Sequence, residues 1–269
     1  MKIIAIITEA ATAHACLDAA LMAARINGQA KVEALHVVVD PERLVSSSEE
    51  VQIQRLREVK EGTAHDKSLA AQAAFAAWNT GKTENMQRIE WKQLTGAEEE
   101  TIVQQSSDAD LLVLTQGRDL DSGDAQHAAI RESGKPLLLV PADWTPRSTS
   151  FAHIAVALSD TPVTDQVIEG AMPWLRAADK VTGVRIGTEQ DPVLIVVDRL
   201  REAGIAIEVQ VFPPAGDDLG AQIVREAKAT GADLLVAGAY RHNQLIEWLM
   251  GGTTRHMLAA TELPLFLAH

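Results

Sequence analysis

The sequence predicts an α/β chain of two tandem, doubly wound halves, each a five-stranded parallel sheet flanked by helices. Three observations carry this. Short β-branched runs alternate with stretches of helical periodicity. The runs are nearly continuous in apolar residues, as parallel strands covered on both faces must be. Several segments also recur in the same order: ADLLV stands at Ala109 to Val113 and again at Ala232 to Val236, 123 residues later. Lys2-Ile-Ile-Ala-Ile-Ile parallels His153-Ile-Ala-Val-Ala-Leu at an offset of 151, and Pro136 and Pro264 open matching apolar runs at an offset of 128.

In the first half, strands are expected near Ile3 to Ile7, Ala34 to Val39, Arg88 to Gln93, Leu111 to Thr115 and Leu137 to Val140. In the second they fall near Ile154 to Leu158, Val181 to Arg185, Ile207 to Phe212, Leu234 to Ala237 and Leu265 to Ala268. Helices of the second half are expected near Val163 to Ala178, Pro192 to Ala203, Leu219 to Thr230 and Thr253 to Thr261. Gly204 and Gly231 stand just past helical patterns, where a residue free to turn left-handed ends a helix. Glu98-Glu-Glu100 reads as the acidic first turn of a helix.

The falling offset places about 28 additional residues in the first half, before its fourth strand. They fit the segment Glu42 to Thr80, which reads as one long helix or two shorter ones. The second half gains five residues after its fourth strand. Ala142-Asp-Trp-Thr-Pro-Arg-Ser-Thr-Ser150 has loop composition, so the halves are expected at 1–144 and 151–269.

Composition narrows the function classes. The 269 residues carry a formal charge of −13, which repels phosphate backbones and anionic lipid at long range and argues against nucleic-acid or membrane partners. No run approaches the roughly 18 apolar residues of a membrane span, and the opening apolar run, Ile3 to Ile7, is too short for an export signal. A single cysteine, Cys16, excludes an intrachain disulfide and a cysteine-rich zinc site, and a reducing, cytoplasmic setting is expected. Cys16 sits on an apolar helical face beside Leu17 and Ala20 and reads as a buried small hydrophobe. His36 and His153 flank strands and read as structural.

The most informative segment runs from Gly238 to Thr254, Gly-Ala-Tyr-Arg-His-Asn-Gln-Leu-Ile-Glu-Trp-Leu-Met-Gly-Gly-Thr-Thr. It follows a parallel strand and precedes a helical pattern. In that position the amides of Gly251, Gly252, Thr253 and Thr254 would gather around phosphate oxygens at the positive end of a helix, with threonine hydroxyls as further donors. From Gly238 to His256, Arg241 and Arg255 outnumber Glu247, so the local field favours an anion. A plain strand-to-helix turn whose glycines only permit positive φ is the other reading.

This segment resembles the universal stress protein family, whose ATP-binding members carry GxxG, nine residues, then Gly followed by Ser or Thr; Gly238, Arg241 and Gly251 hold those positions here. The final strand Leu263-Pro-Leu-Phe-Leu-Ala-His269 and the two-copy layout also resemble tandem members, within the wider adenine nucleotide alpha hydrolase-like group. The resemblance implies that Gly238, Gly251, Gly252, Thr253 and Thr254 line a triphosphate. Adenine and ribose would then meet the end of the half's first strand at Ala157, Ser159 and Asp160, with Val184 on the neighbouring strand. ATP or another adenine nucleotide, accompanied by Mg2+, is the implied ligand. It further implies an intrachain pseudo-dimer through the last strands, compatible with a homodimer and an unidentified protein partner.

Arg241 stands where the second glycine belongs, Gly252 replaces a hydroxyl residue, and Ser159 replaces an Asp. A guanidinium at 241 either fills the phosphate cavity or pairs with the phosphates. No nucleophile elbow, HExxH or hydrolytic constellation is present, so a non-catalytic binder is expected, with slow ATP hydrolysis the enzymatic alternative. An adenylate-transferring enzyme would carry an early Ser- and Gly-rich phosphate loop, which Thr8-Glu-Ala-Ala-Thr12 lacks. The first-half counterpart, Gln116 to Asp124, carries Asp119, Asp121 and Asp124, which would repel phosphate; it is expected to be empty of nucleotide, a solvated loop rather than a cation site.

Overall fold

The computed structural model describes residues 1–26, 30–39, 56, 58–59, 62–80, 89–116, 123–158, 162–188, 195–215, 219–238 and 263–268. The first half contains β1 (Lys2–Ile6), α1 (Ala13–Ile26), β2 (Lys31–Val38), α2 (Ala64–Thr80), β3 (Ile89–Thr95), α3 (Glu98–Ser106), β4 (Leu111–Thr115), α4 (Gly123–His127) running into a π-helical turn (Ala128–Glu132), and β5 (Leu137–Val140). The second contains β6 (His153–Ala157), α5 (Pro162–Ala177), β7 (Lys180–Ile186), α6 (Ile195–Glu202), β8 (Ile207–Phe212), α7 (Leu219–Ala229), β9 (Leu234–Gly238) and β10 (Leu265–Ala268). The helix read at Thr253 to Thr261 lies outside the described residues.

All ten strands join one sheet in the order β3-β2-β1-β4-β5-β10-β9-β6-β7-β8. Every neighbouring pair is parallel except β5 and β10, which run antiparallel with Leu265 opposite Leu139 and Leu267 opposite Leu137. Those two strands are wholly apolar and wholly buried. Left unpaired, each would present an apolar edge with bare amides and carbonyls, the usual template for aggregation. Pairing them with each other removes both edges.

The alternation of side chains along each strand divides the core by face. On one face Ile3, Ala5, Ile154, Val156, Phe266 and Ala268 pack with residues of α1, α2, α5 and α6. On the other, Ile4, Ile6, Ala155, Leu265 and Leu267 pack with α3, the π turn and α7. Each cluster draws residues from both halves, and α1 touches α5 across the seam. At the centre Phe266 is 2% exposed and meets the edge of Trp174 at 4.5 Å and 81°.

The repeated ADLLV motif has a shared physical job. Asp110 Oδ2 accepts the main-chain N–H of Lys2 at 2.7 Å, and Asp233 Oδ1 accepts that of His153 at 3.1 Å. In both halves the acidic residue before the fourth strand thus ties the amino end of the first. The neighbouring ladder bonds match as well: Leu112 N–H donates to Pro136 and Leu235 N–H to Pro264, each at 2.9 Å.

The helix boundaries follow local chemistry. Helix α3 opens on Glu98, Glu99 and Glu100, whose charges face its positive end. After α6, Gly204 takes φ +81°, donating to Arg201 while Ile205 donates to Leu200, the paired closure of a left-handed cap. Gly231 takes φ +82° after α7. Within the segment Glu42 to Thr80, Gly62 has φ +90° and α2 starts after Thr63, whose hydroxyl accepts from Asp66 N at 3.1 Å, while most of 42–61 lies outside the described residues. Cys16 is fully buried with its Sγ 3.5 Å from the carbonyls of Ile6 and Val113, and burial pushes its thiol pKa far up, away from reactivity. No described helix is long and apolar enough to cross a membrane.

Phe266→Ala should cost about 3 to 5 kcal/mol by leaving a cavity against Trp174, read as a fall in urea unfolding midpoint. Histidines supply a pH test. His36 stacks on Trp91, its Nδ1 sits 2.7 Å from the Ile7 carbonyl, and burial holds its pKa below the ordinary value. The unfolded chain, with an imidazole near ~6.5, therefore takes up the proton first. Stability is fully present above that value and falls as the pH drops below it, down through the folded pKa. A series of urea midpoints from pH 8 to 5.5 should show this slope, and His36→Gln should flatten it in part, the remainder coming from His153, which is shifted the same way.

Candidate functional site

Doubly wound sheets bind ligands at the carboxyl ends of strands where the winding direction reverses, because neighbouring connections leave there toward opposite faces and open a crevice. In the second half that point lies between β6 and β9: the chain moves outward from β6 to β7 and β8, then returns to β9. The register places Val156 beside Val236, so Ala157 and Ala237 sit side by side where the two strands end. Gly238 is the last residue of β9 and pairs with Ala268 on β10.

These strand ends are small. Ala157 is half-buried, Ala237 is buried, and Gly238 has no side chain. A flat ring can therefore approach the main chain closely at this point. Leu158 continues from β6 by donating its N–H to the Val184 carbonyl at 2.9 Å. Its side chain laps over β7 where Gly183 stands: a Cβ there would fall 2.5 Å from Leu158 Cδ1. Glycine in the middle of β7 thus makes room for that leucine, which is buried in the core. Val184 is 1% exposed and packs in the core cluster that includes Ala155, Leu235 and Ala237.

Of the residues expected to hold a nucleotide, Ala157 and Gly238 are brought to adjacent strand ends, and Val184 lies beneath them in the core. Ser159, Asp160, Arg241, Gly251, Gly252, Thr253 and Thr254 lie outside the described residues, as do Asp119 and Asp121 of the first-half loop. Among the described residues no group of three or more His, Cys, Asp or Glu is placed to hold a metal ion. The described part of the crevice is lined by small, apolar strand ends.

The corresponding first-half crevice lies between β1 and β4. The same exit bond recurs there, Ile7 N–H donating to Leu35 at 2.8 Å. Sequence reasoning passed over its polar end. Thr115 and Gln116, 1% and 4% exposed, close β4, and Thr115 Oγ1 and Gln116 Nε2 have no hydrogen-bond partner among the described residues. The available signal was a Thr-Gln pair directly after Leu-Leu-Val-Leu in a strand otherwise wholly apolar. A buried polar atom without a partner costs about 1 to 3 kcal/mol.

The fold places the chain among solved relatives. It is similar over 99% of its length to a universal stress protein from Archaeoglobus fulgidus DSM 4304, at 14% identity, 95% of that chain and a TM-score of 0.64. A Pseudomonas aeruginosa UCBPP-PA14 protein assigned provisionally to the universal stress proteins matches 99% of the chain at 15% identity, with 92% of its own length covered and a TM-score of 0.55. A functionally unknown protein of Pseudomonas aeruginosa PAO1 gives 14% identity, 99% and 92% coverage and a TM-score of 0.54. No family model matches the sequence, and no curated protein matches it. The chain has the fold of universal stress protein structures, and at these identities the likeness is one of fold.

Thr115→Val removes one unpartnered hydroxyl without changing volume much, so it should leave stability unchanged or raise it by about 1 kcal/mol. A urea titration reads this directly. A loss above roughly 1 kcal/mol would mean that the hydroxyl is satisfied.

Proposed function

We propose that the protein is a non-catalytic binder of an adenine nucleotide, ATP with Mg2+ or a close relative, acting in a stress response, with the ligand at the second-half crevice. One observation carries the reading. The glycine- and threonine-bearing segment Gly238 to Thr254 leaves the carboxyl end of β9 beside the end of β6, at the reversal point of the winding. A base and ribose would rest on the small ends of β6 and β9, near Ser159 and Asp160. The phosphates would be held by main-chain amides at Gly251, Gly252, Thr253 and Thr254. The fold likeness to universal stress protein structures supports the stress-response role.

Binding without turnover follows from what phosphoryl transfer needs. Hydrolysis requires a positioned water or acceptor and a base in reach of it, and the sequence carries no nucleophile elbow, HExxH or other hydrolytic constellation to supply them. Arg241 favours a second reading, in which its guanidinium fills the phosphate cavity and the molecule serves as a nucleotide-free scaffold for a protein partner.

The two readings separate in one experiment. Denatured protein should release an adenine nucleotide, and ATP with Mg2+ at about one hundred times its Kd should stabilise the fold by about 2.7 kcal/mol, seen as a raised thermal midpoint. Gly251→Val should abolish both signals by blocking the close approach of the backbone, and Arg241→Gly should change the affinity. Neither released nucleotide nor a thermal shift is the result expected of the scaffold.

A further inference from the structure

We propose that a cavity of about 360 Å3 at the junction of the two halves is a binding site for a small aromatic anion, such as an aromatic carboxylate. It lies where the connection from β5 to β6 passes the amino ends of β9 and β10. Because β5 runs against β10, this is the opposite end of the sheet from Ala157 and Gly238. The site is therefore independent of the nucleotide reading.

Two features select the ligand. The first is an aromatic wall. Trp144, half-buried, stands 6.1 Å from buried Phe151 with 36° between the rings. Phe151 rests 6.2 Å from Trp174, which in turn meets Phe266 on β10. The wall is thus held through three further rings to the seam, while part of Trp144 stays open. A flat ring would find a preformed stacking surface there.

The second feature is charge. Arg147 and Lys228 line the same space as Asp143 and Asp233. Asp233 is committed inward: its two oxygens accept the main-chain N–H groups of Ala152 at 2.9 Å and His153 at 3.1 Å. Within a chain of net charge −13, this pocket is locally balanced, two cations against two carboxylates of which one is turned inward onto the main chain. Exposed Arg147 brings a planar fork that matches a carboxylate in two parallel bonds and can stack on a ring. The volume suits a ligand at the small end of drug size.

Salicylate is a suitable probe, with uncharged salicylamide as its near isostere, both followed by isothermal titration calorimetry on the full chain. Salicylate should bind one site with a Kd of about 1 mM or tighter, and salicylamide about tenfold more weakly. Arg147→Gln and Trp144→Ala should each weaken salicylate about tenfold. Arg147 is exposed, so its variant should keep the wild-type thermal midpoint; it decides the matter if Trp144→Ala lowers that midpoint. No saturable heat up to roughly 10 mM, equal binding of salicylamide, or full affinity in Arg147→Gln would each overturn the proposal.

Discussion

The antiparallel pairing of β5 with β10 is the constraint on which the rest depends. Two sets of five parallel strands, each ending in an apolar edge of four residues, become one ten-stranded sheet because those edges satisfy each other. The pairing also makes each helical layer continuous. Phe266 projects from β10 into a cluster that contains α1 residues of the first half as well as α5 residues of the second. Separating the halves would expose aromatic surface together with main-chain donors and acceptors, so hydrophobic burial and hydrogen-bond satisfaction act at the same place.

Order in the two halves is matched down to individual bonds, yet their crevices differ in kind. Among the described residues, the second-half strand ends at Ala157, Ala237 and Gly238 are small. The first-half crevice ends in the polar pair Thr115 and Gln116, and the sequence beyond it carries Asp119 and Asp121 before α4 opens at Gly123 and Asp124. Identical topology therefore carries unlike chemistry, as expected when function resides in a few residues at strand ends rather than in the fold.

Much of the architecture was legible because burial on both faces leaves a plain mark on sequence. Strands β4, β5, β8 and β10 fall on the apolar runs at the residues expected, and most other boundaries move by one or two positions. β2 begins three residues early because Lys31 and Glu33 interrupt its apolar pattern while still pairing with β1. Other features left no local mark. The π turn at Ala128–Glu132 is alanine-rich and reads as ordinary helix. Trp78 Nε1 donates to Asp18 at 2.8 Å across sixty residues, a contact that only the packed α1 and α2 create. The clamps by Asp110 and Asp233 were visible as a repeated motif, but their purpose needed the strand ends in place. At the strand ends, the small residues Ala157 and Ala237 carry no functional signature of their own, and the glycine pattern beyond Gly238 lies outside the described residues.

The opposed directions of β5 and β10 give a molecule built from two like halves a front and a back. One rim of the sheet is where the chain leaves β9 toward glycines, threonines and two arginines. The other is where it leaves β4 toward aspartates and leaves β5 toward Trp144 and Arg147. A partner sensitive to charge would not meet the same surface after a half-turn, so docking on either rim fixes which half it addresses. Substitutions on one rim are likewise remote from the other, so the two ends of the sheet can change independently.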